Sequence, residues 1–156
     1  MKRALVAIAV LTVACTPQNN LSVRKASVSA INATYSTIPN STNGILSFDL
    51  LIRNEASVPL TLGCGLLIVR QSSAGSKPIQ QPACSLPDWD PRQAPSIGAN
   101  TTDTIRLRVN IPQSDIDEVA TYKAVPSIFF GPDFKKSSSF PSAPFRVAMK
   151  GEIPAR

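Results

Sequence analysis

Two aspartates flank the single tryptophan in the stretch Pro87-Asp88-Trp89-Asp90-Pro91. Two carboxylates beside an aromatic can bind a sugar or cleave a glycosidic bond, provided the carboxyl groups are held at a defined separation on either side of the substrate. Alternate residues of an extended loop are close together but not fixed in that way. An enzyme using Asp88 and Asp90 is therefore not expected. Trp89 suits contact better, because tryptophan is enriched at binding hot spots and here prolines lower the cost of ordering it. Trp89, Asp88 and Asp90 form a candidate partner surface; the competing reading folds Trp89 back as a lid over the domain. A second acidic cluster, Asp115, Asp117 and Glu118, could offer oxygens to calcium but lacks the glycine and spacing of an EF-hand loop. It reads as a solvated turn. The chain has no histidine. A Ser-His-Asp or Cys-His arrangement cannot be built, and a zinc site, which wants four ligands at tight spacings, is poorly served. No metal and no cofactor is expected.

Three cysteines remain: Cys15, Cys64 and Cys84. Lys2 and Arg3 precede an uncharged run of apolar or small residues at 4–14. The run is shorter than the roughly 20 residues that span a bilayer and has the length of a signal-peptide core. It ends Leu11-Thr12-Val13-Ala14-Cys15, which resembles the lipobox of bacterial lipoproteins. Thr12 departs from the leucine the family prefers; small Ala14 before the cysteine fits. The resemblance implies cleavage before Cys15 and a diacyl, palmitate-type anchor on it. Residues 1–14 are then the signal peptide and 15–21 a polar tether. The alternative is an ordinary secretory signal, with Cys15 discarded or left unpaired. On the lipoprotein reading, Cys64 and Cys84 are left as one pair in a compartment where disulfides persist. Closing that loop would stabilise by about 3 kcal/mol in the chain-entropy model. The alternative there is two buried thiols.

The formal charge is +6, but the lysines and arginines are scattered singly or in pairs. Nucleic-acid recognition wants a clustered basic face and is not expected. Attraction to anionic lipid or cell-wall polymer fits an exported chain; plain surface charge is the simpler account.

The elements that must position these residues are strands. Fourteen prolines and seven glycines break helices and bound short strands. Leu46, Phe48, Leu50 and Ile52 alternate with Ser47, Asp49, Leu51 and Arg53, a period of two. Leu60, Leu62, Cys64, Leu66 and Ile68 do the same and put Cys64 towards the apolar face. Gly63 and Gly65 predict a bulge or a close backbone approach. Residues 71–78 read as a turn cluster, with Gly75 at a positive φ, followed by a short strand towards Cys84. Ile105, Leu107 and Val109 face inward against outward Arg106, Arg108 and Asn110. Tyr122, Ala124, Ile128 and Phe130 share one parity around Pro126, which predicts an edge strand or a bulge. Phe145, Val147 and Met149 close the chain, and residues 23–35 open it with a weaker pattern. The one helix-like piece is 113–120, which Ser114 could cap.

About seven short strands with turns between them predict an all-β, antiparallel, immunoglobulin-like β-sandwich over 22–150, with a tail at 151–156. The stretches FDLLIRNEASVPLTL, SIGANTTDTIRLRV and ATYKAVPSIFF resemble the intracellular proteinase inhibitor-like domain family of bacteria. The strand running into Asn54 and then Pro-Leu also resembles the type 2 late-embryogenesis-abundant domain. Either resemblance implies a non-enzymatic sandwich. The expected role is a binding or assembly module of the bacterial cell envelope. The lipid on Cys15 would hold it in a membrane, by resemblance the outer one where the cell has one, beside an unidentified envelope protein or polymer. The alternative is a protease inhibitor that presents the loop at 131–141, with Lys135 or Lys136 entering an acidic pocket.

Overall fold

The computed structural model describes residues 25–80, 93–131, 134 and 137–153. Cys15, Cys84, Asp88, Trp89, Asp90, Lys135 and Lys136 lie outside the described residues. The first strands are β1 (Ala26–Thr37), β2 (Asn43–Asn54), β3 (Leu60–Ser72), β4 (Gly75–Gln80) and β5 (Ser96–Ile97). They are followed by β6 (Thr102–Pro112), β7 (Thr121–Phe130), β8 (Ser137–Ser139) and β9 (Ala148–Lys150). The protein is all-β, with these strands in two sheets. The first sheet has the order β6-β2-β1-β9; the second has β4-β3-β7-β8, with β5 also paired to β3.

The period-two pattern decides which side chains meet between the sheets. Leu46, Leu50 and Ile52 of β2 have no exposed surface, nor do Leu60 and Ile68 of β3 or Tyr122 and Ile128 of β7. Burying each such side chain is worth roughly 1.5–3 kcal/mol. Phe48 of the first sheet stacks on Phe145 at 5.7 Å, and Phe145 meets Tyr122 of the second sheet at 6.1 Å. One hydrophobic cluster thus joins both layers.

The sequence predicts about seven strands, all antiparallel; the described residues hold nine, and β9 runs parallel to β1. The reason is a chain that changes sheets without turning back. After β8, Phe140 N–H donates to Pro126 O, Ser142 N–H to Ala124 O and Phe145 N–H to Tyr122 O, an antiparallel course along β7. Meanwhile Ala143 N–H donates to Val28 O, β9 pairs with residues 34–36 of β1, and Ile153 N–H donates to Thr37 O. Residues 140–153 therefore form a seam stitched to both sheets. Val147 is buried at the seam, whereas Met149 is 43% exposed.

Other differences have local causes. β1 reads weakly because its inward parity flips. Val28 and Ala30 face the core on even numbers, then Ala33 and Tyr35 on odd ones. The flip is a bulge between Ile31 and Thr34, where Asn32 takes a left-handed φ of 55°. Asn40 and Asn100 are also left-handed, a conformation that asparagine tolerates better than most residues. β4 starts inside the expected turn cluster, at Gly75 with φ 119°. Pro78 fits there because β4 is an edge strand. β7 is not an edge, so Pro126 is accommodated by irregularity instead. Leu62 pairs with Ile128 but Leu66 with Pro126, leaving three residues of β3 opposite Ser127. A Cβ on Gly63 would approach Ser127 O to 3.0 Å, which is the close approach expected. Cys64 lies in this irregular stretch and is half-buried, not set in the regular inward row. Residues 113–115 form a single 3-10 turn after Pro112, and no side chain caps it, Ser114 included.

Asn54, at the end of β2, is 1% exposed. Its Nδ2 donates to Val58 O at 2.9 Å, Gly98 O at 2.9 Å and Ile97 O at 3.2 Å. Its Oδ1 accepts from Ala56 N–H at 2.9 Å. One amide thereby holds the β2–β3 turn against β5 and the turn that follows it. Asn54→Ala leaves several buried partners unpaired, so it is expected to lower unfolding free energy by about 3 kcal/mol. Urea denaturation checks this; a loss below about 1 kcal/mol would mean that water replaces the amide.

Candidate functional site

The site starts from side chains that point away from the core. On β2 these are Ser47 and Asp49, and on β6 Arg106 and Arg108. Register places Asp49 opposite Arg106 and Ser47 opposite Arg108. On the other flank Thr34 of β1 lies opposite Ser47, and Ser36 lies opposite Lys150 of β9. Residues opposite one another share a face, so four strands contribute polar groups to one surface. They line a groove of about 450 Å³.

One end of the groove is fixed by a cross-strand cluster. Arg106 grips Asp49 with both arms, Nε to Oδ1 at 2.8 Å and Nη2 to Oδ2 at 3.3 Å. Asn32 Nδ2 donates to Asp49 Oδ2 at 2.9 Å. The bulge makes this third contact possible, since it swings Asn32 out of the regular strand. Asp49 is only 8% exposed although it lies on the outer face, because its two partners cover it. Hydrogen bonding from Arg106, then from Asn32, holds the Asp49 carboxyl below its ordinary value, against the upward push of its own burial. The same bond raises the Arg106 guanidinium.

Arg108 and Lys150 differ from Arg106. All three are exposed, but among the described residues no carboxylate pairs with Arg108 or Lys150. They stand on opposite flanks of a floor that carries the hydroxyls of Ser47, Thr34 and Ser36. The surface can therefore accept an anionic oxygen-bearing group, with the Asp49 charge already engaged by Arg106.

The second acidic cluster is taken up by local structure. Asp115 Oδ1 accepts from Lys77 Nζ at 2.8 Å. Asp117 Oδ1 accepts from Val119 N–H, while Asp117 N–H and O both bond the Tyr122 hydroxyl. Among the described residues no group of three or more His, Cys, Asp or Glu gathers as a metal site.

Of the residues expected to carry lipid, a disulfide or a partner contact, Cys64 alone falls within the described residues. The Cys84 partner, the Cys15 anchor and the Asp88-Trp89-Asp90 surface lie outside them. The groove itself was missed. Its signal lay in the outward parity of Asp49, Arg106 and Arg108, which periodicity gives, but pairing across strands was needed to bring them together.

No family model matches the chain, and no curated protein matches it. Among solved structures, Northeast Structural Genomics Consortium target SoR45 is 13% identical, covers 80% of this chain and 86% of its own, and has a TM-score of 0.49. A candidate ApaA protein from Bordetella pertussis is 14% identical, covers 80% of this chain and 94% of its own, and has a TM-score of 0.47. Both are distant likenesses of an all-β fold.

Because the Asp49 carboxyl is lowered in the folded state, its contribution to stability is complete above the unfolded value of about 3.9 and is lost as pH falls through the folded value. Asp49→Asn should therefore be less stable than the parent at pH 7. The gap between their urea midpoints should close as pH is lowered towards about 2. A gap that stays constant with pH would show that the carboxylate charge is not what matters.

Proposed function

We propose that this chain is a lipid-anchored extracytoplasmic protein of the bacterial envelope, serving as a non-enzymatic binding or assembly module. The signal-like segment at 1–14 and the lipobox-like end at Cys15 support the location. The observation that favours recognition over catalysis is the groove across the first sheet. It presents exposed cations on a preorganised polar floor, and the carboxylate within it is fully engaged by Arg106 and Asn32. A general acid or base needs a carboxyl open to substrate, whereas a contact face needs charges held in place.

Asn54 gives physical content to the strand-Asn-turn-Pro-Leu pattern that resembles the inhibitor-like and late-embryogenesis-abundant domains. A side chain that clamps the turn it introduces is a reason for asparagine to stand there. We read the two layers as an immunoglobulin-like sandwich on that basis, with a Cys64–Cys84 disulfide outside the core. The stretch with Asp88, Trp89 and Asp90 remains a second proposed contact surface.

Intact mass of the membrane-purified protein tests the location. The expected species begins at Cys15, carries acyl chains, and gains two hydrogens when the Cys64–Cys84 bond is reduced. Cys15→Ser should move the protein from the membrane to the soluble fraction. A retained initiating methionine with three free thiols would overturn both the location and the crosslink.

A further inference from the structure

Arg108 and Lys150 sit on strands at opposite edges of the first sheet, β6 and β9, with β2 and β1 between them. Neighbouring strands are about 4.8 Å apart, so their backbones are roughly 14 Å apart across the face. Both side chains are long and flexible, and between them lies the row formed by Ser47 and Thr34, with Ser36 beside Lys150. Facing cations over a hydroxyl floor have few uses in a fold. They repel one another weakly, and no acid among the described residues balances them. The neighbouring acid, Asp49, is gripped by Arg106 and Asn32 and turned to internal use.

We propose that this groove is a binding site for a phosphate group, held between Arg108 and Lys150 and hydrogen-bonded by the hydroxyls of Ser47, Thr34 and Ser36. A phosphate offers several acceptor oxygens at tetrahedral angles. A guanidinium can take two of them at once, an ammonium can approach another as a point charge, and hydroxyls donate from below. A carboxylate has two oxygens in one plane and would leave part of the floor unused. Arg106 serves as a positioning residue: by neutralising Asp49 it removes the charge that would repel the ligand. The inference deepens the contact-face reading of the first sheet and does not depend on the anchor.

The phosphate could belong to a lipid headgroup or be free in solution, and two soluble probes separate these sources. The detergent-solubilised full chain is titrated with inorganic phosphate and with glycerophosphoglycerol, the headgroup of phosphatidylglycerol, by calorimetry and by backbone amide shifts. Saturable binding is expected, with shifts at residues 34–36, 47 and 108. Tighter binding of the diester assigns the site to a membrane surface, and tighter binding of inorganic phosphate assigns it to a free ion; either result supports the site. Arg108→Gln and Lys150→Gln should each weaken the stronger ligand about tenfold. Lys123→Gln, on the second sheet, should leave it unchanged. The proposal is overturned if neither probe saturates below about 10 mM, if Arg108→Gln and Lys150→Gln bind like the parent, or if Lys123→Gln weakens binding as much as they do. A chain that proves lipidated at Cys15 but fails this titration would sink the phosphate site and leave the anchor standing.

Discussion

The buried amide of Asn54 ties together pieces of chain more than forty residues apart in sequence. β2 is the central strand on which the first sheet is registered, and its last residue is also the first fixed point of the crossing to the second sheet. The turn at 55–59 carries the chain from one layer to the other, and a turn buried against a core must satisfy its own polar groups. Asn54 does so for Ala56 and Val58 on its own side and for Ile97 and Gly98 across the gap. Leu60, at the start of β3, is thereby delivered into the core opposite Ile97. Backbone bonds support the same junction, Asn54 N–H to Thr101 O and Asn100 N–H to Ala56 O, but the amide alone reaches Val58, Ile97 and Gly98 at once.

The groove depends on a second local device, the bulge at Asn32. A strand running straight through residues 26–37 would keep one parity throughout and would send either its first or its last apolar residues outward. The extra residue lets Val28 and Ala30, then Ala33 and Tyr35, all face inward. It also frees an amide to reach the carboxylate of the adjacent strand. One irregularity thus serves both the core and the outer face. Tyr35 shows how tightly the inner side is set. Its hydroxyl donates to Ile111 O at 2.9 Å, and its ring lies where a side chain on Gly44 would have to be.

Much of this was legible in the residues, and the illegible parts share a cause. β2 and β7 alternate as expected, and Leu46, Phe48, Leu50, Ile52, Tyr122, Ala124 and Ile128 are all buried. Gly63 and Gly65 announced an irregularity in β3, and Gly75 a positive φ. What single-strand periodicity does not carry is pairing. It could not tell that the last strand would lie parallel to the first, nor that Asp49 would meet Arg106. The single turn expected within 113–120 is present as the 3-10 turn at 113–115, without the Ser114 cap, and beyond it Asp117 and Tyr122 satisfy the backbone locally. The weak pattern of β1 was a true signal of its parity flip, but a bulge and a poor strand look alike in sequence. The charges of the groove were visible as outward residues, yet scattered along the chain they gave no hint of one surface.

The seam at 140–153 bears on how such a chain comes to be folded at all. β1 opens near the start of the described chain, and the segment that closes its free edge is among the last. Joining ends so far apart carries a large entropic threshold, and folds built from such distant pairings assemble slowly. Until residues 140–153 dock, the edge of β1 stays unpaired and the clasp across both layers is open.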